Sequence, residues 1–225
     1  LICGRKGSFK STLALKLLRN FLERCPICLR EWGSCRLCEG DPPVAVYVDT
    51  EHAMNNSYLE RLNIDLDRVY IYQPPYGEAA AEYVVEMCKV PEVGAVINDS
   101  NAALFPMGEI EGKNSGFLDS QSRGARAKLI ARMSRALCTL VNQNRPKIAI
   151  MVNHLMTRSD GFPGTYMPGG DVQKYLSSTV VQLWTTARSE SRTNLDDEKR
   201  LLKLQRKNVE ISAAIEEAFT IEGIE

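Results

Sequence analysis

A chain of 225 residues, 44% apolar and 25% charged, is long enough to bury a sizeable core, and its composition is ordinary for one globular domain. Lysine plus arginine and aspartate plus glutamate are 28 each, so net charge gives no argument for nucleic-acid binding, and only local basic patches can supply one. No stretch approaches the roughly 20 apolar residues that cross a bilayer, and no signal-peptide pattern opens the chain, so we expect a cytoplasmic protein with no membrane partner.

The first residues, Leu1, Ile2 and Cys3, form an apolar strand end with no polar lead-in, and we expect further residues upstream of Leu1. This run leads into Gly4 to Thr12, GRKGSFKST. In the phosphate-loop pattern G-x-x-x-x-G-K-[ST], backbone N–H groups curl round a phosphate, the lysine reaches its oxygens and the hydroxyl ligates Mg²⁺. Gly4, Lys10 and Ser11 fit, whereas Phe9 stands where the second glycine belongs. Taken alone, a glycine-rich stretch before a helix is also a plain turn. Leu13, Leu17, Leu18, Phe21 and Leu22 recur at helical spacing, which predicts a helix from Thr12 to Arg24 and favours the phosphate loop.

Cys25-x2-Cys28 and Cys35-x2-Cys38 follow, six residues apart. Paired knuckles with so short a separation suit tetrahedral Zn²⁺, and four thiolates leave no open position, which points to a structural role. Redox thiols or disulfides are the alternatives. Cys3, Cys88 and Cys138 lie in apolar surroundings and read as small core residues.

Val44 to Val48 predicts a buried strand ending in the cluster Asp49-Thr50-Glu51-His52, at the end of a strand where α/β proteins place chemistry. Helices are expected over Asn55–Leu62 and Glu78–Lys89, with a short strand Val69–Tyr72 between them. The strand Gly94–Ile97 runs into Asn98-Asp99-Ser100, and an aspartate here, downstream of a phosphate loop, would hold Mg²⁺ through water. A long polar loop, Glu109–Arg123, precedes a helix Ala125–Asn142 and a strand Ile148–Val152 that ends in Asn153-His154. A second long loop spans Leu155–Gly170, and loops of this length are usually functional or disordered. A short helix Asp171–Ser178, a strand Val180–Ala187, a charged turn Ser189–Lys199 and edge strands at Leu201–Gln205 and Ala218–Ile221 complete the expectation. The strand–helix alternation argues an α/β fold, a mainly parallel sheet with helices on both faces and antiparallel edge strands.

The blocks GRKGSFKST, VYVDTEHAMNNSYLERL, GAVINDSNAALFPMGEIEG, IAIMVNH and PGGDVQKYLSSTVVQL, in this order, resemble the RecA-type recombinase ATPase core. SFKS in the phosphate loop and a histidine after the asparagine of the fourth block are similar to phage recombinases of the UvsX type. The resemblance implies a RecA-like P-loop NTPase core across residues 1–225, extended upstream of Leu1, with the four-cysteine knuckle 25–38 as an insertion foreign to the pattern. It implies ATP and Mg²⁺ as cofactors, with Gly4, Gly7, Ser8, Phe9, Lys10, Ser11 and Thr12 around the phosphates and Ser11 and Asp99 at the metal. Glu51 would polarise the attacking water as general base. Tyr58 would stack on adenine, Asn55 would read its exocyclic amine in place of the family's usual aspartate, and His154 would sense the γ-phosphate.

DNA-contacting residues implied by the same resemblance are Met107, Ile110 and Lys113 in the first long loop, and Arg158, Phe162, Tyr166, Gly169 and Gly170 in the second. Arg206 and Lys207 fall near cations that reach a neighbouring protomer's ATP. The expected function is a DNA-dependent ATPase that forms a helical homo-oligomeric filament on single-stranded DNA and pairs it with double-stranded DNA. The alternatives are a hexameric helicase-type motor on the same core, or a nucleotide-regulated DNA-binding module that does not hydrolyse.

Overall fold

Alternation along the strands assigns each side chain to one of two cores. In β2 (Val44–Asp49), Ala45 and Tyr47 join Ile97, Ile150 and Val152 on one face. Val46 and Val48 join Val96 and Met151 on the other. Strands buried on both faces need helices on both sides. The first face is covered by α1 (Lys10–Glu23), which buries Ala14, Leu15, Leu18, Phe21 and Leu22. At about 1.5–3 kcal/mol for each fully buried large side chain, that one stripe fastens the helix to the sheet. The second face is covered by α3 (Gly77–Lys89) and α4 (Ser122–Leu140), through Ala80, Val84, Ile130, Met133 and Leu137.

The structure is a computed structural model described over residues 1–36, 38–108, 122–141, 146–158 and 164–184. These residues fall within the unit Leu1–Thr185. The remaining elements are β1 (Ile2–Gly4), α2 (Asn56–Arg61), β3 (Val69–Tyr72), β4 (Val93–Asp99), β5 (Ile148–His154), β6 (Met156–Thr157), β7 (Thr165–Tyr166), α5 (Val172–Leu176) and β8 (Val181–Leu183). The six-stranded sheet has the order β3-β2-β4-β5-β1-β8, and its strand pairings are all parallel. The carboxyl ends of β2, β4, β5 and β1 therefore lie side by side along one edge.

Three details depart from the sequence expectations. The first helix begins at Lys10 rather than Thr12, so the lysine and hydroxyls of the loop sit in its first turn. Apolar periodicity cannot mark a polar first turn. The stretch Leu155–Gly170 is not one uninterrupted loop: Met156 pairs with Tyr166 and Thr157 with Thr165 in an antiparallel hairpin. The strand expected over Val180–Ala187 is Val181–Leu183, parallel to β1. The expected edge strands Leu201–Gln205 and Ala218–Ile221 lie outside the described residues, as does 109–121 of the first long loop.

Candidate active site

β1 ends at Gly4, where a Cβ would collide with Ser8 Oγ and lie 2.7 Å from the Leu183 carbonyl oxygen. Only glycine lets the loop curl this closely over the strand. Gly7 has φ 75, and Phe9, at the pattern's second glycine, has φ 61. The left-handed backbone that the glycine serves is thus kept by a phenylalanine, at a cost of roughly 1–2 kcal/mol. The loop delivers the first N–H groups of α1, which have no intrahelical acceptor and form its positive end. Lys10 is buried and its Nζ donates to the Arg5 carbonyl at 3.0 Å. Burial lowers its pKa, opposed by the charges of Asp99 and Glu51. Ser8 Oγ is buried without a hydrogen-bond partner. A buried ammonium resting on a loop carbonyl, an orphaned hydroxyl and a helix amino terminus make a donor set that fits nucleotide phosphates.

Asp99 closes β4, is 5% exposed, and accepts from Tyr47 Oη at 2.5 Å and from the Ser11 side chain. Burial pushes its carboxyl up while the Ser11 and Tyr47 bonds pull it down. Burial raises the Tyr47 phenol too, assisted by the Asp99 charge. A hydroxyl touching a carboxylate at the mouth of the loop is a donor set that fits Mg²⁺.

Glu51 sits on a loop shaped by Asp49, which accepts from Ala53 N at 3.2 Å, Met54 N at 2.9 Å and Gln73 Nε2 at 2.9 Å. Thr50 Oγ1 donates to the Ser100 carbonyl at 2.9 Å. Glu51 Oε1 accepts from Ser100 Oγ at 2.6 Å and lies 2.7 Å from His154 Nε2. The His154 bond, helped by Ser100 and the Lys10 charge against opposing burial, holds the Glu51 carboxyl down at about 2. His154 ends β5 in register with Gly4. Lys10, Ser11, Asp99, Glu51 and His154 thus meet at one edge of the sheet.

Thr12 Oγ1 and Tyr58 Oη are 2.6 Å apart, which ties α2 to the phosphate-loop helix. Asn55 is the N-cap of α2, its Oδ1 accepting from Tyr58 N at 2.9 Å. Met107 is 40% exposed, and its N–H donates to Glu78 Oε2 at 2.8 Å. In the hairpin, Arg158 N donates to the Gly164 carbonyl at 3.1 Å, and Tyr166 is 46% exposed. Gly169 and Gly170 both have positive φ and turn the chain into α5, Gly169 packing against Ile130 where a Cβ would collide. Ile110, Lys113, Phe162, Arg206 and Lys207 lie outside the described residues.

Sequence reasoning missed a buried cluster of amides behind the strand ends. Gln173, 1% exposed, accepts through Oε1 from Asn101 Nδ2 at 2.9 Å and Asn153 Nδ2 at 2.8 Å. Its Nε2 donates to the Pro168 carbonyl at 2.8 Å and the Gly170 carbonyl at 2.9 Å. Asn98 Nδ2 donates to Asn101 Oδ1 at 2.7 Å, and Asn153 Oδ1 accepts from His154 N at 2.8 Å. The available signal was Asn98 and Asn153, amides near the ends of otherwise aliphatic strands. Tyr47, an aromatic hydroxyl in an aliphatic strand, carried a similar one.

Cys25, Cys28, Cys35 and Cys38 bring their sulfurs within 4.8 Å of one another. Burial would raise the Cys38 thiol, but hydrogen bonds from the Cys35 thiol and amide, with Cys25 and Gly33, bring it down to about 6. A thiol ionised at neutral pH is a metal ligand. Cys3 and Cys88 are buried and burial raises both thiols, in keeping with inert core residues. Among the described residues no helix is long and apolar enough to cross a membrane.

The chain matches the RecA N-terminal domain family over residues 36–219. The phosphate loop precedes that stretch, so its assignment rests on the geometry above. The chain is 31% identical over 192 residues to Protein RecA of Aquifex pyrophilus, covering 81% of this chain and 47% of that protein. It is 30% identical over 192 residues to Protein RecA of Sulfurimonas denitrificans, at the same coverage, and 34% identical over 146 residues to that of Staphylococcus carnosus, covering 62% and 39%. The chain spans about half the length of the curated relatives it matches. With more than half of its residues inside the family match and its parallel sheet ordering the same blocks, this chain belongs to the RecA family.

Proposed function

We propose that this chain is the core of a DNA-dependent ATPase that assembles as a filament on single-stranded DNA and promotes homologous pairing and strand exchange. One observation carries the reading: Lys10, Ser11 with Asp99, and Glu51 with His154 converge at adjacent strand ends, and the hairpin β6–β7 leaves directly from His154. Mg²⁺-ATP would supply an electrophilic phosphoryl group with its charge partly neutralised. Gly4 to Thr12 would bind its phosphates, Lys10 turning from the Arg5 carbonyl toward their oxygens. Ser11 and Asp99 would hold the metal, and Tyr58 and Asn55 would flank the base.

Glu51 is the proton acceptor in this reading. At about 2 it is a weak base while His154 and Ser100 hold it, so turnover requires His154 to leave Glu51. His154 would then report the phosphate state to the hairpin, and Arg158, Tyr166, Gly169 and Gly170 would contact DNA, as would Met107, Ile110, Lys113 and Phe162. Arg206 and Lys207 would reach a neighbouring protomer's nucleotide. SFKS and His154 support a phage recombinase of the UvsX type, acting in the cytoplasm of a bacterial host. Zn²⁺ is the ion we assign to Cys25, Cys28, Cys35 and Cys38.

The test is ATP hydrolysis with and without single-stranded DNA, with Lys10→Ala and Glu51→Gln beside the unmutated chain, followed by strand exchange. DNA-stimulated turnover lost in both variants is expected. Nucleotide binding with no turnover would overturn the catalytic assignment in favour of a regulated binding module, and unwinding without strand exchange would favour a helicase-type motor.

A further inference from the structure

The helix that begins at the phosphate loop has an ending that its own sequence does not cap. No basic side chain stands in the last turn of α1, and Arg24 leaves it in extended conformation. The final carbonyls of a helix have no intrahelical donors, and here they take donors from elsewhere in the chain. Trp32 Nε1 donates to the Phe21 carbonyl at 2.8 Å, and Arg68 Nη2 to the Leu22 carbonyl at 2.9 Å. The Trp32 ring also stands edge-on to Phe21, centroids 5.3 Å apart.

Trp32 comes from the stretch between the two cysteine pairs. Among the described residues no helix or strand lies between Glu23 and Val44, and the backbone there is held by an isolated bridge, Arg24 with Glu31, and by turn bonds such as Cys25 N to the Arg30 carbonyl and Gly33 N to the Cys38 carbonyl, both at 2.9 Å. Ile27 and Leu29 are 54% and 47% exposed, so the stretch buries little apolar surface beyond Trp32 and the cysteines. Leu29, Gly33 and Gly40 hold left-handed backbone. A loop with these costs needs a staple.

The cysteines fit one. Their sulfurs lie within 4.8 Å of one another, with Cys28 and Cys38 at 3.9 Å and Cys35 and Cys38 at 3.2 Å. Tetrahedral Zn²⁺ with Zn–S near 2.3 Å sets sulfurs about 3.8 Å apart. A disulfide needs about 2.05 Å, which the separations of 3.9 and 3.2 Å exceed. Ile27 N and Cys35 N donate to the sulfurs of Cys25 and Cys38 at 3.4 and 3.3 Å.

We propose that Zn²⁺ and the four thiolates form a metal-dependent cap for α1, in which the ion folds residues 25–38 and the folded knuckle delivers Trp32 to the helix end. This rests on the Zn²⁺ assignment above. Binding releases the remaining thiol protons to solvent, and the ion keeps no open position for chemistry. The cap acts on the end of α1 opposite the nucleotide loop, so it governs how far that helix extends rather than which groups meet the phosphates.

The chain has two tryptophans, and Trp184→Phe leaves Trp32 as the single tryptophan whose emission is followed. Four readouts are taken on this variant: metal content, the absorption of the Co²⁺-substituted protein, and Trp32 emission and amide hydrogen exchange over Phe21 to Arg24, the last two before and after chelation. We expect one ion per chain and a tetrathiolate Co²⁺ spectrum. Chelation should red-shift Trp32 emission reversibly and speed exchange at the helix end about tenfold or more. Adding Cys35→Ser should lose the metal and the cap together. In the otherwise unmutated chain, Trp32→Phe should keep the metal but exchange fast at Phe21 to Arg24. If metal binds but its removal leaves Trp32 emission and exchange unchanged, the capping inference is overturned and the Zn²⁺ assignment stands. If no stoichiometric metal and no tetrathiolate spectrum appear, both fall.

Discussion

Gln173→Leu tests whether the buried amide cluster is an interdependent unit. The side chain makes four hydrogen bonds, to Asn101, Asn153, Pro168 and Gly170. At about 0.5–1.5 kcal/mol net for each, these are worth roughly 2–6 kcal/mol. Leucine fills nearly the same volume and returns about 1.5–3 kcal/mol through burial. We expect a net loss of about 2 kcal/mol, or a melting temperature lower by about 4–8 °C for a chain of this size. The loss has an identifiable source in Asn101 Nδ2, whose partner is removed. Adding Asn98→Val and Asn101→Val removes that stranded donor together with Asn98 Oδ1, which is buried without a partner. The triple variant should recover to within about 1 kcal/mol of the parent, because it removes the stranded Asn101 and Asn98 amides while Asn153 Nδ2 keeps its bond to the Pro168 carbonyl. Urea unfolding followed by circular dichroism, with unchanged denaturant slope, measures both steps. A triple variant less stable than the single one would refute the reasoning.

His154→Ala removes the largest influence holding Glu51 at about 2. A depressed carboxylate adds stability that is full above its ordinary value near 4.5 and is lost as pH falls toward 2. The variant should flatten that part of the stability profile, and the Glu51 carboxyl, followed by carbon NMR, should titrate higher; an unmoved midpoint would contradict the assignment. Tyr47→Phe deletes the donor to Asp99 Oδ2 and should cost about 1.5–3 kcal/mol where Asp99 is ionised and less in acid, where it is neutral. Equal melting of variant and parent at about pH 8 would count against it. At Phe9, with φ 61, glycine relieves about 1–2 kcal/mol of backbone strain but adds about 0.5–1 kcal/mol of unfolded-state freedom. Thermal melts should therefore place Phe9→Gly within about 1 kcal/mol of the parent and Phe9→Val below both, β-branching being worst there. Equal stability of Val and Phe would show that φ is not the constraint.

Apolar runs made β2, β4 and β5 readable in the sequence because these strands are buried on both faces, and the stripe from Leu13 to Leu22 did the same for α1. The loop-to-helix junction at Lys10 and Ser11 and the grouping of Cys25, Cys28, Cys35 and Cys38 were readable because each depends on local geometry. The hairpin Met156–Thr157 with Thr165–Tyr166 was hidden, since its strands are exposed and short and carry no alternating pattern. Asp49 was read only as one member of an acidic strand end, whereas the fold uses it to tie down Ala53, Met54 and Gln73. Asn55 also caps α2 through its side-chain oxygen, a role that an asparagine just before a helix signals by itself. Gln173 looked like any polar residue in a short helix. Its burial follows from partners that are 72 and 20 residues away, which no local pattern encodes.

The position of His154 links the chemistry of Glu51 to the shape of the strand that follows. Its ring holds the Glu51 carboxylate at 2.7 Å, its backbone N–H is bound to Asn153 Oδ1 at 2.8 Å, and Leu155 N donates to the Gly4 carbonyl at 2.9 Å. Asn153 in turn donates to the Pro168 carbonyl at 3.0 Å, so both ends of the hairpin segment are bound to the strand end that carries His154. A ring that leaves Glu51 strips the carboxylate of the strongest contact holding its proton affinity down, and Glu51 becomes a better base as His154 departs. The bonds on either side of His154 constrain its backbone, so rotation of the side chain is the movement that releases Glu51 with the least rearrangement. If Glu51 is the proton acceptor, as proposed, displacing the root of the hairpin as His154 leaves requires the Leu155–Gly4 or Asn153–Pro168 bond to give way as well.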